Sequence, residues 1–225
     1  KGLLSETQGT WRHQYQRLLD GQWRWVELVA HTFREQFSSG IYALLYLKDI
    51  DRQKRRELAQ QEAASRDPLT RVYNRTAFQA EVERYMHQPD IFRQGALVML
   101  DIDNFKAIND QFGHLEGDKA LCLVTALLQS TFREQDIVGR MGGDEFLVFL
   151  TGTPPRHILD WRIAQFFEAL RSSQHLTITC SIGVTFVTSQ GFSYQEAVRQ
   201  ADVALYQSKR NGKNLASYYG DPPAD

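Results

Sequence analysis

The stretch GRMGGDEFLVFL, residues 139–150, restricts the topology of this chain more than any other segment. Two glycines and two adjacent carboxylates interrupt an otherwise strand-like run, which predicts a tight β-hairpin with Asp144 and Glu145 at its tip. Strand-like runs are expected at 96–100, 137–141, 146–150, 176–180 and 184–187, alternating with helical patterns. Sequential hairpins inside such an alternation require antiparallel neighbours. The expected fold class is therefore α/β (α+β), with a mixed sheet flanked by helices. The clearest helix begins at Tyr194. Ser193 and Glu196 form a capping box, Tyr194, Ala197, Val198, Ala201, Ala204 and Leu205 make one apolar stripe, and Gly212 follows the end.

Upstream the pattern changes. Residues 11–47 are rich in Trp, Tyr, Val, Phe and Leu, and an Asp20-Gly21 turn and a Ser38-Ser39-Gly40 turn divide them into three antiparallel strands. The text YQRLLDGQWRWVELVAHTF followed by IYALLYLKDID resembles the C-terminal half of a PAS sensor domain. The ligand-holding first half of that family has no counterpart here, so no ligand is assigned. Residues 52–66 are polar and free of Gly and Pro, which predicts a connecting helix whose RQKRR cluster is a solvated face. Asp67-Pro68 should stop this helix and can start the next, because Pro suits the first helical position. The expected organisation is a partial PAS-like region at 1–51, a connecting signalling helix at 52–66, and a third region at 67–225.

Lys and Arg total 26 against 27 Asp and Glu, so no global positive field exists to hold nucleic acid or an anionic membrane. A small-molecule or protein partner is expected instead. Cys122 and Cys180 stand singly in apolar surroundings and read as reduced, buried packing residues. The histidines show no zinc-binding spacing, and the longest apolar run, 41–47, is too short to span a bilayer. The chain starts at Lys1 rather than Met, so a fragment is expected, cytoplasmic or tethered to a membrane through upstream sequence.

A second acidic stretch, ALVMLDIDNFKAIND, ends an apolar strand in Asp101-Ile102-Asp103, whose two carboxylates should share one face by the two-residue period of a strand. Taken alone, either motif is an ordinary turn. Together they predict that the hairpin tip closes on Asp101 and forms an oxygen-rich pocket suited to Mg²⁺, which holds nucleotide phosphates through one or two carboxylates and several waters. Gly142 and Gly143 would supply the tight backbone and room for a triphosphate.

MGGDEF resembles the signature of GGDEF-domain diguanylate cyclases, which join two GTP molecules into cyclic di-GMP. DPLTRVYNR at 67–75, DIDNFKAINDQFGHLEGD at 101–118, SIGV at 181–184 and ADVALYQSKRNGKN at 201–214 match the same family in order. The resemblance implies a five-stranded mixed sheet, related in plan to nucleotide cyclase and polymerase palm domains. It also implies roles. Asp101, the Ile102 carbonyl and Asp144 would hold Mg²⁺ (or Mn²⁺), with Asp144 the general base and Glu145 a neighbouring carboxylate able to bind a second metal. Asn109 and Asp118 would read guanine, because a carboxylate accepts the two adjacent donors that guanine presents and adenine lacks. Phe105, Lys106, Lys209 and Lys213 would complete the substrate site, Lys213 standing where the family usually has Arg. Arg133-x-x-Asp136 matches the family's inhibitory site for cyclic di-GMP. The resemblance further implies a homodimer with one GTP per domain. The competing expectation is an inactive receptor or scaffold that binds GTP or cyclic di-GMP.

Overall fold

In the computed structural model, residues 9–34, 41–88, 92–152, 155–173 and 178–221 are described. The chain divides into two compact units, Lys1–Ala64 and Ser65–Asp225. In the first, β1 (Gly9–Leu19), β2 (Gln22–Arg34) and β3 (Ile41–Asp49) form an antiparallel meander. The β1–β2 turn is Asp20-Gly21 with φ of 51° and 76°, the left-handed pair that a two-residue hairpin matched to strand twist demands. The expected turn at Ser38-Ser39-Gly40 lies outside the described residues.

Helix α1 (Asp51–Ser65) follows β3 almost directly. Its start is held to the sheet: the Ile50 N–H donates to the Trp25 carbonyl and the Trp25 N–H to Asp51 Oδ1. The helix buries no residue among those described, and its propensity is supported by the surface pairs Asp51–Arg55 and Lys54–Glu57.

The second unit runs β4 (Tyr73–Asn74), α2 (Arg75–Met86), β5 (Gln94–Ile102), α3 (Phe105–Phe112), α4 (His114–Thr131), β6 (Ile137–Gly142), β7 (Glu145–Thr151), α5 (Arg156–Ser172), β8 (Cys180–Thr188), α6 (Tyr194–Arg210) and β9 (Ala216–Tyr218). The sheet order is β4-β6-β7-β5-β8-β9. The two edge pairs are parallel and the three central ones antiparallel, so the sheet is mixed. Six strands replace the expected five, because two- and three-residue edge strands leave no periodic signal.

Alternation along the strands sorts the core into two layers. Val98, Leu100, Val148 and Ile182 pack with Leu121 and Leu128 of α4 and with Ile163 and Phe166 of α5. Leu97, Met99, Leu147 and Phe149 face α2 and α6. Strand β5 is covered on both sides, which explains its unbroken apolar run.

Three local expectations are corrected. Residues 67–71 form a turn in which Asp67 Oδ1 accepts from the Thr70 N–H and hydroxyl, and the next helix begins only at Arg75, capped by Asn74. Strand is not interrupted between Cys180 and the run expected at 184–187. Leu176 and Thr177 lie outside the described residues, and β8 continues unbroken from Cys180 through Gly183. Cys122 is exposed whereas Cys180 is buried. On α4 the buried stripe is Leu121, Val124, Thr125 and Leu128, and Cys122 falls one position off it.

Candidate functional site

Strand β5 delivers Asp101 to the sheet edge, where it is the register partner of Glu145 on β7 and Ser181 on β8. The β6–β7 hairpin turns through Gly143-Asp144, and φ values of 139° at Gly142 and 53° at Gly143 explain why both positions are glycine. The tip is fastened twice. The Ile102 N–H donates to the Asp144 carbonyl (3.3 Å), and Arg140 Nε and Nη2 donate to the Gly143 carbonyl at 3.0 and 2.7 Å. Arg140 Nη1 also reaches Asp67 Oδ1 (3.2 Å), so one guanidinium joins the turn at 67–71 to the hairpin.

The electrostatics favour a cation. Burial pushes the Asp101 carboxyl above its ordinary value, and the charges of Asp144 and Asp103 add to the effect. The Lys209 ammonium, 2.8 Å from Asp101 Oδ2, works against it without reversing it. Glu145 is raised as well, by burial and then by Asp101 and Asp144. Thus the Lys209 ammonium acts on both Asp101 and Glu145, and with Asp144 beside them three carboxylates share this end of the sheet. Among the described residues no three His, Cys, Asp or Glu side chains form a ready-made metal cage. Mg²⁺ does not need one, because it retains waters and shares its shell with phosphate oxygens, so the donor set fits this ion.

Asp103 does not join the set. Strand β5 ends at Ile102, and the Asp103 carboxylate accepts from the Thr179 and Ser181 hydroxyls at 2.8 and 2.7 Å and from the Asn214 N–H. This ties the end of β5 to β8 and to the segment after α6. In that segment Gly212, Lys213 and Asn214 all have positive φ, and Lys213 Nζ donates to Asn104 Oδ1 at 2.7 Å.

Phe105, Lys106 and Asn109 lie on α3 and Asp118 on α4. Phe105 packs against the core while Lys106 and Asp118 are exposed. Asn109 lies against α4 at Gly117, the residue before Asp118.

Arg133 and Asp136 sit apart from the carboxylates, between α4 and β6, beside a cavity of about 350 Å³ also lined by Arg66, Tyr73 and Gln129. Arg133 is exposed. The Asp136 carboxylate is buried and engaged: it accepts from the Arg133 and Thr151 N–H groups and from the buried Arg162 guanidinium (3.4 Å).

Arg140, Gly117 and Arg162 carry no expectation from the sequence, whereas Asp67 reads there only as a helix boundary and Asp103 only as a companion of Asp101. Two carried a signal. Arg140 is a charge inside a strand run, and Arg162 lies among Leu159, Ile163, Phe166 and Leu170 on the buried stripe of α5.

A profile described as "Diguanylate cyclase, GGDEF domain" matches residues 64–215. The chain is similar to a probable diguanylate cyclase, DgcC, of Escherichia coli (37% identity over 162 residues, 68% of this chain and 43% of the relative). It is also similar to the diguanylate cyclase DgcM of E. coli (34% over 206 residues, 88% of this chain and 48% of the relative). The chain therefore spans less than half the length of either relative. Among solved structures, the coiled coil and GGDEF domain of DgcB from Caulobacter crescentus, in complex with c-di-GMP, superposes with a TM-score of 0.65. The identity is 25%, covering 75% of this chain and 93% of that one. No described helix is long and apolar enough to cross a membrane.

Proposed function

We propose, from the premise that this chain belongs to the GGDEF family of diguanylate cyclases, that residues 67–225 bind one GTP and, paired with a second copy, condense two GTP into cyclic di-GMP and two pyrophosphates. The observation that supports this reading is the placement of Asp101 of β5 opposite Glu145 beside the Gly143-Asp144 turn, with burial and then neighbouring carboxylates raising Asp101 and Glu145 and Lys209 2.8 Å from Asp101.

Asp101, Asp144 and the Ile102 carbonyl would hold Mg²⁺ or Mn²⁺, with Glu145 beside them. The bound ion supplies charge neutralisation for the triphosphate and polarises the α-phosphate. Asp144, at the tip, accepts the proton of the ribose 3′-hydroxyl as the 3′-oxygen bonds to the partner's α-phosphorus. The bond from that phosphorus to the β-phosphate oxygen breaks, and pyrophosphate leaves. Lys209 transfers part of its charge interaction from Asp101 to the incoming phosphates, while Lys106 and Lys213 line their path. Asn109 and Asp118 read the guanine edge above Phe105. Each copy contributes one nucleotide, so rate depends on pairing and alignment more than on covalent participation by the protein. The meander and α1 act as a PAS-like sensor region and connecting helix that set the alignment of the two copies. Product binds at Arg133 and Asp136 and lowers the rate, and the domain works in the cytoplasm. The retained Asp101, Asp144 and Glu145 favour catalysis over an inactive receptor.

The test is incubation with GTP and Mg²⁺ over a range of protein concentrations, with identification of the nucleotides formed. Cyclic di-GMP forming at a rate per protomer that rises with concentration is expected, and Asp144→Ala should abolish it without changing the fold. Undiminished synthesis by that variant would sink the metal and base assignment.

A further inference from the structure

Asn109, one of the two residues proposed to read guanine, lies against Gly117. Gly117 lies in the first turn of α4 and is buried. Its backbone does not call for glycine, since it is absent from the positive-φ residues that include Gly113, Gly142 and Gly143. Nor does backbone packing. A Cβ built at Gly117 would lie 2.0 Å from Asn109 Oδ1, 3.0 Å from Asn109 Cγ and 3.3 Å from Phe105 Cζ, with only side-chain atoms among these nearest neighbours. Gly183 shows the contrast: a Cβ there would meet the Ala201 carbonyl oxygen at 2.1 Å and the Leu205 nitrogen at 2.2 Å, both backbone of α6. An added Cβ at Gly183 would collide with helix backbone, whereas one at Gly117 would meet only the Asn109 and Phe105 side chains.

We propose that Gly117 is a specificity-determining residue for the nucleobase: its missing side chain is the slot in which the Asn109 amide lies beside Asp118. The inference rests on the base-reading role proposed above for Asn109 and Asp118. A methyl group at 117 displaces the tip of a flexible side chain and leaves the helix intact, because alanine is the better helix former. The cost falls on recognition. Asn109 leaves the position from which it meets the purine edge, and GTP loses one hydrogen bond that ATP never made.

The experiment measures binding of the α,β-methylene analogues of GTP and ATP, whose reacting bond is blocked, to the 225-residue chain and to Gly117→Ala, Asn109→Ala and the double variant. Thermal melts of all four run in parallel. Gly117→Ala is expected to melt at or above the wild-type temperature, to bind the GTP analogue about tenfold more weakly, and to bind the ATP analogue unchanged. In the Asn109→Ala background Gly117→Ala should add no further loss, because the slot then has no occupant. Unchanged guanine preference in Gly117→Ala, while Asn109→Ala loses it, overturns the inference alone. Equal weakening of both analogues with a lowered melting temperature also overturns it, by showing a structural role only. Unchanged preference in Asn109→Ala removes the base-reading assignment and the inference together.

Discussion

Replacing Glu145 with Gln should make the second unit more stable while damaging the proposed reaction, and the structure gives both sign and size. Asp101 and Glu145 are direct register partners on β5 and β7, so their carboxylates repel across adjacent strands. Both are raised above their ordinary values, chiefly by burial and then by neighbouring carboxylates. An acid raised in the fold binds its proton more tightly there than in the unfolded chain, so stability falls as pH rises through the window from the ordinary carboxylate value to the raised one. At neutral pH the full penalty applies, and below the ordinary value it disappears. Removing one charge of a directly opposed, partly exposed pair should recover about 0.5 kcal/mol, or about 1–2 °C in Tm for a unit of this size. Near-ultraviolet circular dichroism melts in EDTA check this at about pH 7 and about pH 4. The variant should melt higher at the first pH and level with wild type at the second. Added Mg²⁺ should raise wild type more than the variant. A variant that melts lower at neutral pH, or a gap independent of pH, would refute the argument that uncompensated charge defines this site.

Four other perturbations separate function from scaffold. Arg140→Ala removes the guanidinium shared by Asp67 and the Gly143 carbonyl, and should cost about 2 kcal/mol and lower kcat more than it raises KM; Arg140→Lys should rescue it only in part, since an ammonium cannot make the fork. Gly183→Ala forces a methyl group into the backbone of α6 and should destabilise by about 3 kcal/mol, read as a lowered urea midpoint. Arg133→Ala should relieve inhibition by added cyclic di-GMP without shifting Tm, because the exposed Arg133 is anchored to Asp136 through its backbone N–H. Asp136→Ala should instead destabilise by about 3–5 kcal/mol, because it strands the buried Arg162, so only a parallel melt makes its inhibition curve interpretable.

The outcomes at Gly183, Cys122 and Asp103 show which parts of this fold are legible from sequence. The α/β alternation, the mixed sheet and the Asp101–Glu145 juxtaposition follow from strand period and a glycine-marked turn, both short-range rules. The N-cap at Ser193 follows from local chemistry too, although Glu196 supplies only its N–H to the cap and spends its carboxylate on Arg199 and Gln200. Cys122 was also legible: apolar neighbours suggested burial, but the helical period of Leu121, Val124 and Leu128 places it off the stripe. Gly183 was not. A glycine within a strand run reads as a break, and only the arrival of α6 reveals it as a point of close approach. Asp103 falls between these cases: it bonds to Ser181, the register partner of Asp101, as a shared face requires, but its ties to Thr179 and Asn214 come only from distant segments.

The same division runs through the site itself. Asp144, Glu145, Asn109 and Asp118 are proposed to contact something outside the protein, and such residues stand out as polar groups in motifs that folding alone would not select. Arg140 fastens the turn that carries Asp144, Asp103 ties the end of β5 to β8, and Gly117 is proposed to position Asn109; each looks ordinary until its partner is known: the Gly143 carbonyl, the Ser181 hydroxyl and the Asn109 amide. Those partners lie between 3 and 78 positions away in the chain, so their roles are properties of packing, not of motif. A relative that kept every acidic motif residue but carried alanine at the position of Gly117 would therefore be expected to bind metal and phosphate normally and to discriminate bases poorly. Motif matching alone would not detect that separation of charge from recognition.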